Sequence, residues 1–369
     1  MSDLFSGRPL PTALPTVMVV PTGIGCAIGG YAGDALPSAR LLAAASGCLI
    51  THPNVMNGAA LYWSDPRIHY VEGSALDRYA AGDLALRPVR RQRVGLLLDA
   101  GIEEQLRLRH LQVADGCRAT LGLEIGPVVT TDVPLGVSLR QGASGASWGS
   151  LERPDALLRA GEVLRAAGAT AIAVVARFPE DPESEALAAY RGGSGVDVLA
   201  GAEAVISHLL CRHLGLPCAH APALSPLDLS PDLDPRAAGE ELGTTFLPCV
   251  LVGLSRAPDL IPVGSAEAPG ARGGLAAAGL LTADQIGAVV APAGALGGEA
   301  VLACIERGVP LIAVENPSVL SVTAEALGLA EAGATVLSVS SYAEAAGWIM
   351  ALREGISPAG LQRPIARLG

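Results

Sequence analysis

The stretch between residues 17 and 58 decides the fold class. It reads Val17-Met-Val-Val20, then Pro-Thr-Gly-Ile-Gly-Cys-Ala-Ile-Gly-Gly-Tyr-Ala-Gly-Asp (21–34), an Ala/Leu run (35–46), and Cys-Leu-Ile-Thr-His-Pro-Asn-Val-Met-Asn-Gly (48–58). An apolar strand, a glycine loop, a helix and a second strand in this order predict a parallel α/β unit. Because the second strand runs directly into polar residues, we expect a ligand site at this edge of the sheet.

Length and charge bound the architecture and the partners. A chain of 369 residues is too long for one ordinary core, which predicts two α/β domains, residues 1–149 and 150–369. We expect both to be Rossmann-like, with mainly parallel sheets and a cleft between them. Half of the residues are hydrophobic, but Gly, Pro or charged residues interrupt every apolar run, so no membrane association is predicted. The net charge of -11 argues against a nucleic-acid partner.

Cysteine usage and the N-terminus suggest a cellular location. The seven cysteines are odd in number and form no CxxC pair, which predicts reduced thiols rather than disulfides or a zinc ribbon. The N-terminal sequence Met-Ser-Asp-Leu-Phe-Ser-Gly-Arg-Pro shows no signal-peptide pattern. The expectation is therefore a cytoplasmic protein, whose Ala-rich helices could also pack into a homo-oligomer.

Hydrophobic periodicity predicts strands alternating with helices along the whole chain. Strands are expected at 94–99, 171–176, 246–254, 286–292, 309–314 and 335–339, and helices at 102–114, 154–167 and 342–353. A further helix should begin at a capping box formed by Ser194 and Asp197 and end at Gly215. The Gly/Ser/Thr-rich stretch 128–149 is either a linker or a loop over the site.

Three glycine loops are the predicted ligand-binding segments, because bare backbone N–H groups at a helix N-terminus can approach a ligand. They span residues 21–34, 191–197 and 294–299. Each ends in an acid, which repels phosphate and favours recognition of a hydroxyl, amide or amine, or a bridging Mg²⁺. The alternative is that the three acids are only helix caps. The predicted ligand contacts are Gly23, Gly25, Gly29, Gly30, Asp34, Arg191, Gly192, Gly193, Ser194, Gly195, Gly297 and Gly298.

Known fingerprints are mostly absent. Gly23, Gly25 and Gly29 are spaced one residue too widely for a dinucleotide motif, and His52 stands where a ribose-binding acid would follow the second strand, so NAD is disfavoured. No P-loop motif occurs. The G-x-S-x-G match at 145–149 lacks a preceding strand and an immediate helix, so we do not expect a serine nucleophile there.

Two histidines are the acid/base candidates. His52 and His220 each follow a short apolar stretch beside proline, where a side chain can face the crevice of a parallel sheet. The alternative for each is a structural hydrogen bond. His208 and His213 are five positions apart on a helix and therefore face different sides, which argues against a metal-binding pair, and no metal-ligating residues are predicted. Polar residues that could orient a substrate, or equally occupy turns, are Asn54, Asn57, Asp132, Arg140, Glu315 and Asn316; Glu315 is counted with the catalytic candidates because it could fix substrate hydroxyls.

Four segments together carry a family resemblance: residues 21–34, 51–59, 190–197 (Tyr-Arg-Gly-Gly-Ser-Gly-Val-Asp) and 315–318 (Glu-Asn-Pro-Ser). They resemble a family of cyanobacterial and plastid-lineage proteins known as a domain of unknown function. The resemblance covers nearly the whole chain and implies no reaction. Residues 297–314 are also similar to the nucleotide-holding segment of two-domain sugar-nucleotide transferases and epimerases, but the preceding histidine of that segment is missing.

These observations predict an enzyme acting on a small hydroxylated or nucleotide-linked metabolite by group transfer, isomerisation or hydrolysis. His52 and His220 would exchange protons with the substrate, while the glycine loops would hold it. The alternative is a non-catalytic metabolite-binding regulator or assembly factor that uses the same cleft. Paired titratable groups around one ligand would favour the enzyme.

Overall fold

The computed structural model describes residues 13–58, 64–241, 245–265, 279–365 and 367. The strands within these ranges are β1 (Thr16–Met18), β2 (Leu49–Thr51), β3 (Ile68–Tyr70), β4 (Leu84–Arg87), β5 (Val94–Leu98), β6 (Ile125–Thr130), β7 (Val137–Gln141), β8 (Ser147–Leu151), β9 (Ala171–Arg177), β10 (Cys218–Ala223), β11 (Asp259–Pro262), β12 (Ala288–Pro292), β13 (Leu311–Val314) and β14 (Val336–Val339).

The helices are α1 (Leu36–Ser46), α2 (Pro53–Met56), α3 (Gly73–Ala81), α4 (Glu104–Leu121), α5 (Pro154–Ala166), α6 (Glu185–Arg191), α7 (Ala200–Leu214), α8 (Pro235–Glu241), α9 (Leu247–Leu254), α10 (Glu299–Glu306), α11 (Tyr342–Arg353) and α12 (Pro358–Leu361). Alanines let these helices approach closely: α1 packs on α11 through buried residues such as Ala39, Ala43 and Ala345. None of the described helices is both long and apolar enough to cross a bilayer.

Two parallel sheets form the core. The larger sheet has the order β14-β13-β12-β1-β2-β3, and every neighbouring pair in it is parallel. The smaller sheet has the order β10-β9-β5-β6 and is also parallel throughout. The inner strands β1, β2, β12 and β13 of the larger sheet and β5 and β9 of the smaller sheet are buried, as parallel strands covered by helices usually are. The edge strands β3, β6 and β14 are partly exposed. The prediction of an α/β protein with mainly parallel sheets is confirmed.

Each parallel sheet takes strands from both halves of the chain. In the larger sheet β1 lies beside β12, and in the smaller sheet β5 lies beside β9. The chain passes from the larger to the smaller sheet through β4 and returns through β11, and these two strands pair antiparallel. The predicted boundary between residues 1–149 and 150–369 therefore does not separate the two sheets, and the domain division stays a prediction.

Most periodic segments form the predicted element, and one does not. Residues 246–254 were expected to be a strand but form helix α9, which is buried and packs on β9 and β10. A run that is apolar at almost every position has no period that separates strand from helix. Pro248 in the first turn is compatible with a helix start, and this is the cue that the strand prediction missed.

The start of α7 was also predicted incorrectly. The helix begins at Ala200, the Ser194 hydroxyl donates to the carbonyl oxygen of Ala189, and no capping box forms. Asp197 instead accepts a hydrogen bond from the N–H of Leu199 at 2.9 Å. The predicted end is confirmed, because Gly215 closes the helix in the left-handed conformation that glycine adopts without strain.

The stretch 128–149 is neither a bare linker nor an irregular loop. It contains the end of β6, all of β7 and the start of β8; β7 and β8 form an antiparallel hairpin that packs on α7. The hairpin also reaches the first glycine loop, since the N–H of Ser147 donates to the carbonyl oxygen of Gly23 at 2.9 Å. It therefore holds the glycine loop against α7.

Candidate functional site

A cavity of about 560 Å³ lies where the carboxyl ends of strands from both sheets meet. His52 follows β2, Glu72 follows β3, and Pro179 follows β9, and all three border it. Helix α7 and the β7–β8 hairpin supply further walls through residues such as Ser207 and Leu139, and α6, α8 and residues 224–227 also line it. Crevices at the carboxyl ends of parallel strands are the usual ligand sites of open α/β sheets.

His220 stands between a serine and a carboxylate. Helix α7 packs on β10, so that Glu203 and Ser207, one helical turn apart, both face the imidazole ring. Nδ1 of His220 lies 3.1 Å from the Ser207 hydroxyl oxygen, and Nε2 lies 3.7 Å from Oε2 of Glu203. The Ser207 hydroxyl is directed to the carbonyl oxygen of Ala204, so its oxygen is free to accept from Nδ1–H. Nε2 is then the nitrogen that can take up a proton, with a carboxylate beside it.

Two further carboxyl groups border the same cavity. Burial and the negative charge of Glu203 raise the pKa of Asp197 to about 7. Burial and the charge of Asp197 raise the pKa of Glu240 well above its usual range, and Glu240 accepts hydrogen bonds from the Tyr190 hydroxyl at 2.8 Å and from the N–H of Ala32. At neutral pH the cavity therefore holds protonated and ionised carboxyl groups together, an arrangement that suits acid/base chemistry.

Glu72 and His208 form a second acid–histidine pair at the cavity wall. Nε2 of His208 lies 3.0 Å from Oε1 of Glu72, whose side chain is almost fully buried. Burial by itself would lower the pKa of His208, but the contact with Glu72 and its charge outweigh this and raise it. Burial would likewise raise the pKa of Glu72, and His208 and Ser74 lower it. Both shifts favour the ion pair over the neutral pair.

His52 is a neutral imidazole. Its Nε2 accepts a hydrogen bond from the N–H of Val20 at 3.0 Å, so the ring proton belongs on Nδ1. The side chain is 7% exposed, and burial lowers its pKa to about 4. The ring cannot act as a base through Nε2 while that atom holds the end of β1 in place.

Four predicted site residues come together at the cavity: His52, Asn54, Asn57 and His220. Asn54 donates to the carbonyl oxygen of Gly29 at 2.9 Å, and Asn57 accepts from the Tyr70 hydroxyl at 3.0 Å. Both amides therefore also brace the wall that they line. Their short helix α2 turns them back from the end of β2 towards the cavity.

The first glycine loop borders the cavity only through Thr22 and Ala32. Its four predicted ligand contacts, Gly23, Gly25, Gly29 and Gly30, face other parts of the chain. Gly23 approaches the hairpin at Ser147, Gly25 meets the carbonyl oxygen of Gly195, and the N–H of Gly29 donates to Asp34. Asp34 does not cap α1, since its carboxylate also binds Arg236 at 2.7 Å.

The other two glycine loops are also used internally. Arg191 pairs with Glu241 at 2.9 Å, and Gly192, Gly193, Ser194 and Gly195 lie outside the cavity wall, which this loop reaches only from Val196 onward.

Gly297 and Gly298 lead into α10, away from the cavity. The first turn of α10 receives a carboxylate from the chain itself, because the N–H of Ala300 donates to Asp77 at 2.9 Å.

The remaining predicted contacts lie elsewhere. Asp132 pairs with Arg159 on the surface at 2.7 Å, and Arg140 stacks 5.0 Å from the ring centre of Trp148. Glu315 is exposed after β13 and does not border the cavity. Asn316 is buried and bonds both backbone groups of Ile28 at 2.8 Å, so it anchors the first glycine loop.

Sequence reasoning missed the α7 side chains. Glu203 and Ser207 lie on α7, whose sequence indicates a helix but not a functional site. Their contact with His220 is seen only in the tertiary structure. The only available cue was their spacing of four, which places both on one helix face. Across the described ranges no group of three or more His, Cys, Asp or Glu side chains could hold a metal ion.

The fold and the cavity define a class: a mainly parallel α/β protein with an acidic, histidine-containing pocket at its strand ends. Residues 15–362 match the family described as "Protein of unknown function (DUF3326)", and the chain belongs to this family. A Synechococcus protein named an uncharacterized lipoprotein is 53% identical over 360 residues, covering 97% of this chain and 96% of the relative. The family resemblance found in the sequence is confirmed. No solved structure matches the chain.

The predicted cytoplasmic location is contradicted. The relative that shares 53% identity is named a lipoprotein, so the cytoplasmic prediction is withdrawn. It rested on hydropathy, cysteine pairing and the absence of a signal-peptide pattern. Hydropathy reports on membrane spans and cysteine pairing on disulfides, and neither detects a lipid anchor.

The neutral state of His52 predicts a pH dependence of stability. Because its folded pKa is about 4, the unfolded chain binds a proton below about pH 6.5 that the folded chain does not, so protonation favours unfolding. We expect the free energy of unfolding of the wild type, relative to His52→Gln, to fall by about 3 kcal/mol between pH 7 and 4. Urea unfolding at a series of pH values measures it.

Asp197→Asn is the control of opposite sign. The folded pKa of Asp197 is about 7, so its protonated form stabilises the folded chain as the pH falls. The free energy of unfolding of the wild type relative to Asp197→Asn should therefore rise from pH 7 to 4. Parallel curves for the wild type and His52→Gln would show that His52 is not held neutral.

Proposed function

We propose that this protein is an enzyme that performs acid/base chemistry on a small hydroxylated metabolite in the cavity. The observation that carries the proposal is His220 between Ser207 and Glu203, 3.1 Å and 3.7 Å from their respective oxygens. Nε2 of His220 would be the base, with Glu203 stabilising the charge that forms on the ring. Asp197, whose pKa of about 7 leaves a large share of it protonated at neutral pH, would be the acid.

The charge of the cavity supports a hydroxylated metabolite over a nucleotide-linked one. Seven carboxyl residues border it, while no arginine or lysine does so among the residues that the structure describes. A phosphate would meet repulsion and no cation other than a histidine, whereas hydroxyl groups can donate to the carboxylates. Group transfer, isomerisation and hydrolysis all fit such a site, and Mg²⁺ stays an untested prediction.

The strand order of the two parallel sheets supports an enzyme whose active site lies in a cleft between them. We propose that each parallel sheet with its helices is a Rossmann-like unit and that the cavity is the cleft between the two units. Numbered along the chain, the larger sheet has the order 3-2-1-4-5-6 of doubly wound folds. The smaller sheet reverses its order between β5 and β9. Homo-oligomer formation stays a prediction.

Thermal shifts of the purified protein test the ligand class. Uncharged sugars and polyols should stabilise it, and a ligand at about 100 times its Kd adds about 2.7 kcal/mol. The phosphorylated forms of the same compounds should give smaller shifts. Larger shifts with the phosphorylated compounds would contradict the proposal.

Variants of the base separate an enzyme from a regulator. Glu203→Gln and His220→Asn should keep binding of the stabilising compound but lower its turnover by about 100-fold or more. His213→Gln is the matched control. His213 lies on α7, like Glu203, and pairs with Glu162 outside the cavity. Binding without any turnover by the wild type would favour the non-catalytic metabolite-binding regulator or assembly factor.

A further inference from the structure

His52 has a fixed tautomer and one unused donor. Because Nε2 accepts from Val20, the neutral ring carries its proton on Nδ1. Nδ1 makes no hydrogen bond with any residue in the described ranges, and His52 is one of the residues that border the cavity. The sequence around it explains the geometry: Thr51 ends β2 by bonding the carbonyl oxygen of Met18 at 2.9 Å, which brings His52 beside the end of β1.

A neutral imidazole N–H suits a particular task. It donates a hydrogen bond to an oxygen without adding a positive charge. This hydrogen bond stabilises most when negative charge develops on that oxygen during the reaction. His220 with Glu203 lies on the wall formed by the smaller sheet, and His52 lies on the wall formed by the larger sheet. A substrate in the cavity can thus meet a base from one sheet and a donor from the other.

We propose that His52 donates from Nδ1–H to the carbonyl oxygen of an uncharged hydroxy-aldehyde or hydroxy-ketone, and that the protein interconverts such compounds by proton transfer. This inference rests on the proposed function and names its substrate class and reaction. It also changes the role of His52 from the predicted acid/base to an electrophile. Uncharged substrates fit because the cavity wall is rich in carboxyl groups.

The reaction is balanced without any other reactant. Nε2 of His220 removes the proton from the hydroxyl-bearing carbon next to the carbonyl group. The C–H electron pair forms a C=C bond, and the carbonyl π pair moves onto oxygen, giving an enediolate that His52 stabilises. Asp197 gives its proton to this oxygen and takes up the hydroxyl proton. The C=C pair then accepts the proton that His220 returns to the former carbonyl carbon, and the former hydroxyl oxygen becomes the carbonyl oxygen of the isomer.

Deuterium exchange measures the chemical step. The wild type in D₂O should catalyse incorporation of deuterium beside the carbonyl group of dihydroxyacetone, erythrulose or xylulose, followed by proton NMR. His52→Gln should lower the rate by about 100-fold, because glutamine can still accept from Val20 but no longer offers the Nδ1 donor. His69→Gln should leave the rate unchanged, since His69 is also held neutral by burial but does not border the cavity.

Nitrogen NMR gives a readout that a structural role would not move. In ¹⁵N-histidine-labelled protein, His52 should show a protonated Nδ1 that does not titrate between pH 8 and 5, and an exchanging hydroxy-ketone should shift the resonance of this proton. An Nε2-protonated tautomer, or exchange unchanged in a folded His52→Gln variant, would overturn the inference. So would the absence of exchange with all three compounds.

The two proposals can fail separately. Exchange lost in His220→Asn but kept in His52→Gln would leave the proposed function standing and remove the role of His52. Stabilisation by polyols, with no exchange of any hydroxy-ketone, would likewise reject only the substrate class. No thermal shift with any uncharged hydroxylated compound would reject the proposed function itself.

Discussion

Gly201→Ala is expected to destabilise the protein by about 3 kcal/mol, the upper end of the usual cost of overpacking. Gly201 lies in the first turn of α7, where a Cβ atom would stand 2.3 Å from Cα of Trp148 and 2.6 Å from the carbonyl oxygen of Ser147. Both obstacles are backbone atoms, so a side-chain rotation cannot relieve them. The free energy of unfolding from urea titration measures the effect.

Gly116→Ala is the matched control for this substitution. Gly116 is also a helical glycine, in α4, but a Cβ atom there would meet nothing within 4 Å. Alanine should therefore stabilise the helix by about 0.5 to 1 kcal/mol, since it removes the backbone entropy cost of glycine. Equal effects of the two substitutions would show that the hairpin does not rest on α7 as described.

The second large effect is expected from Arg236→Met, at about 3 kcal/mol. The guanidinium binds Asp34 at 2.7 Å, donates to the carbonyl oxygen of Cys26 at 3.0 Å, and stacks 4.1 Å from the ring centre of Tyr31. Without it, the Asp34 carboxyl is left largely buried and without a cation. Thermal and urea unfolding measure the loss.

The pH dependence separates charge from packing at this site. Burial already raises the pKa of Asp34 despite Arg236, and removing the guanidinium should raise it further. A raised carboxyl pKa means stability that is lost as the pH rises, so the cost of Arg236→Met should be larger at pH 8 than at pH 5. A pH-independent cost would show that packing against Tyr31 dominates.

Two comparison variants complete this prediction. Combining Arg236→Met with Asp34→Asn should recover part of the stability, because the unpaired charge is then gone. Arg159→Met removes an arginine that is about half exposed and binds Asp132 and Asp155. Its cost should be far smaller than that of Arg236→Met, as expected for surface ion pairs.

Local pattern was enough for much of the fold. Helix α11 occupies the predicted residues 342–353, and strands β5, β9 and β12 lie within or next to their predicted ranges. These segments combine a clear period with caps or glycine ends, and both depend only on neighbouring residues. The run 246–254 lacked a period, and there the prediction was wrong.

The candidate site was predictable only in part. His52, Asn54 and Asn57 reach the cavity because they follow the end of β2, and residues at the carboxyl ends of parallel strands face a common edge. His220 borders the cavity from within β10. The glycine loops were predicted to bind a ligand. In the structure Asp34 and Asn316 bind backbone groups of the first glycine loop, and Asp77 binds the first turn of α10, which the third loop opens. Glycines in a sequence show that a backbone segment can be approached closely, but they do not show whether a ligand or another part of the chain binds it.

The sequence by itself determined the α/β class, the family and the position of two histidines in the cavity, because these follow from local periodicity and contiguous motifs. Only the tertiary structure decided that β1 pairs with β12, that Arg236 reaches Asp34 from 202 positions away, and that Glu203 and Ser207 meet His220. Such contacts depend on which elements pack together across long separations in the chain. Burial, which sets the protonation of His52 and Asp197, exists only after that packing.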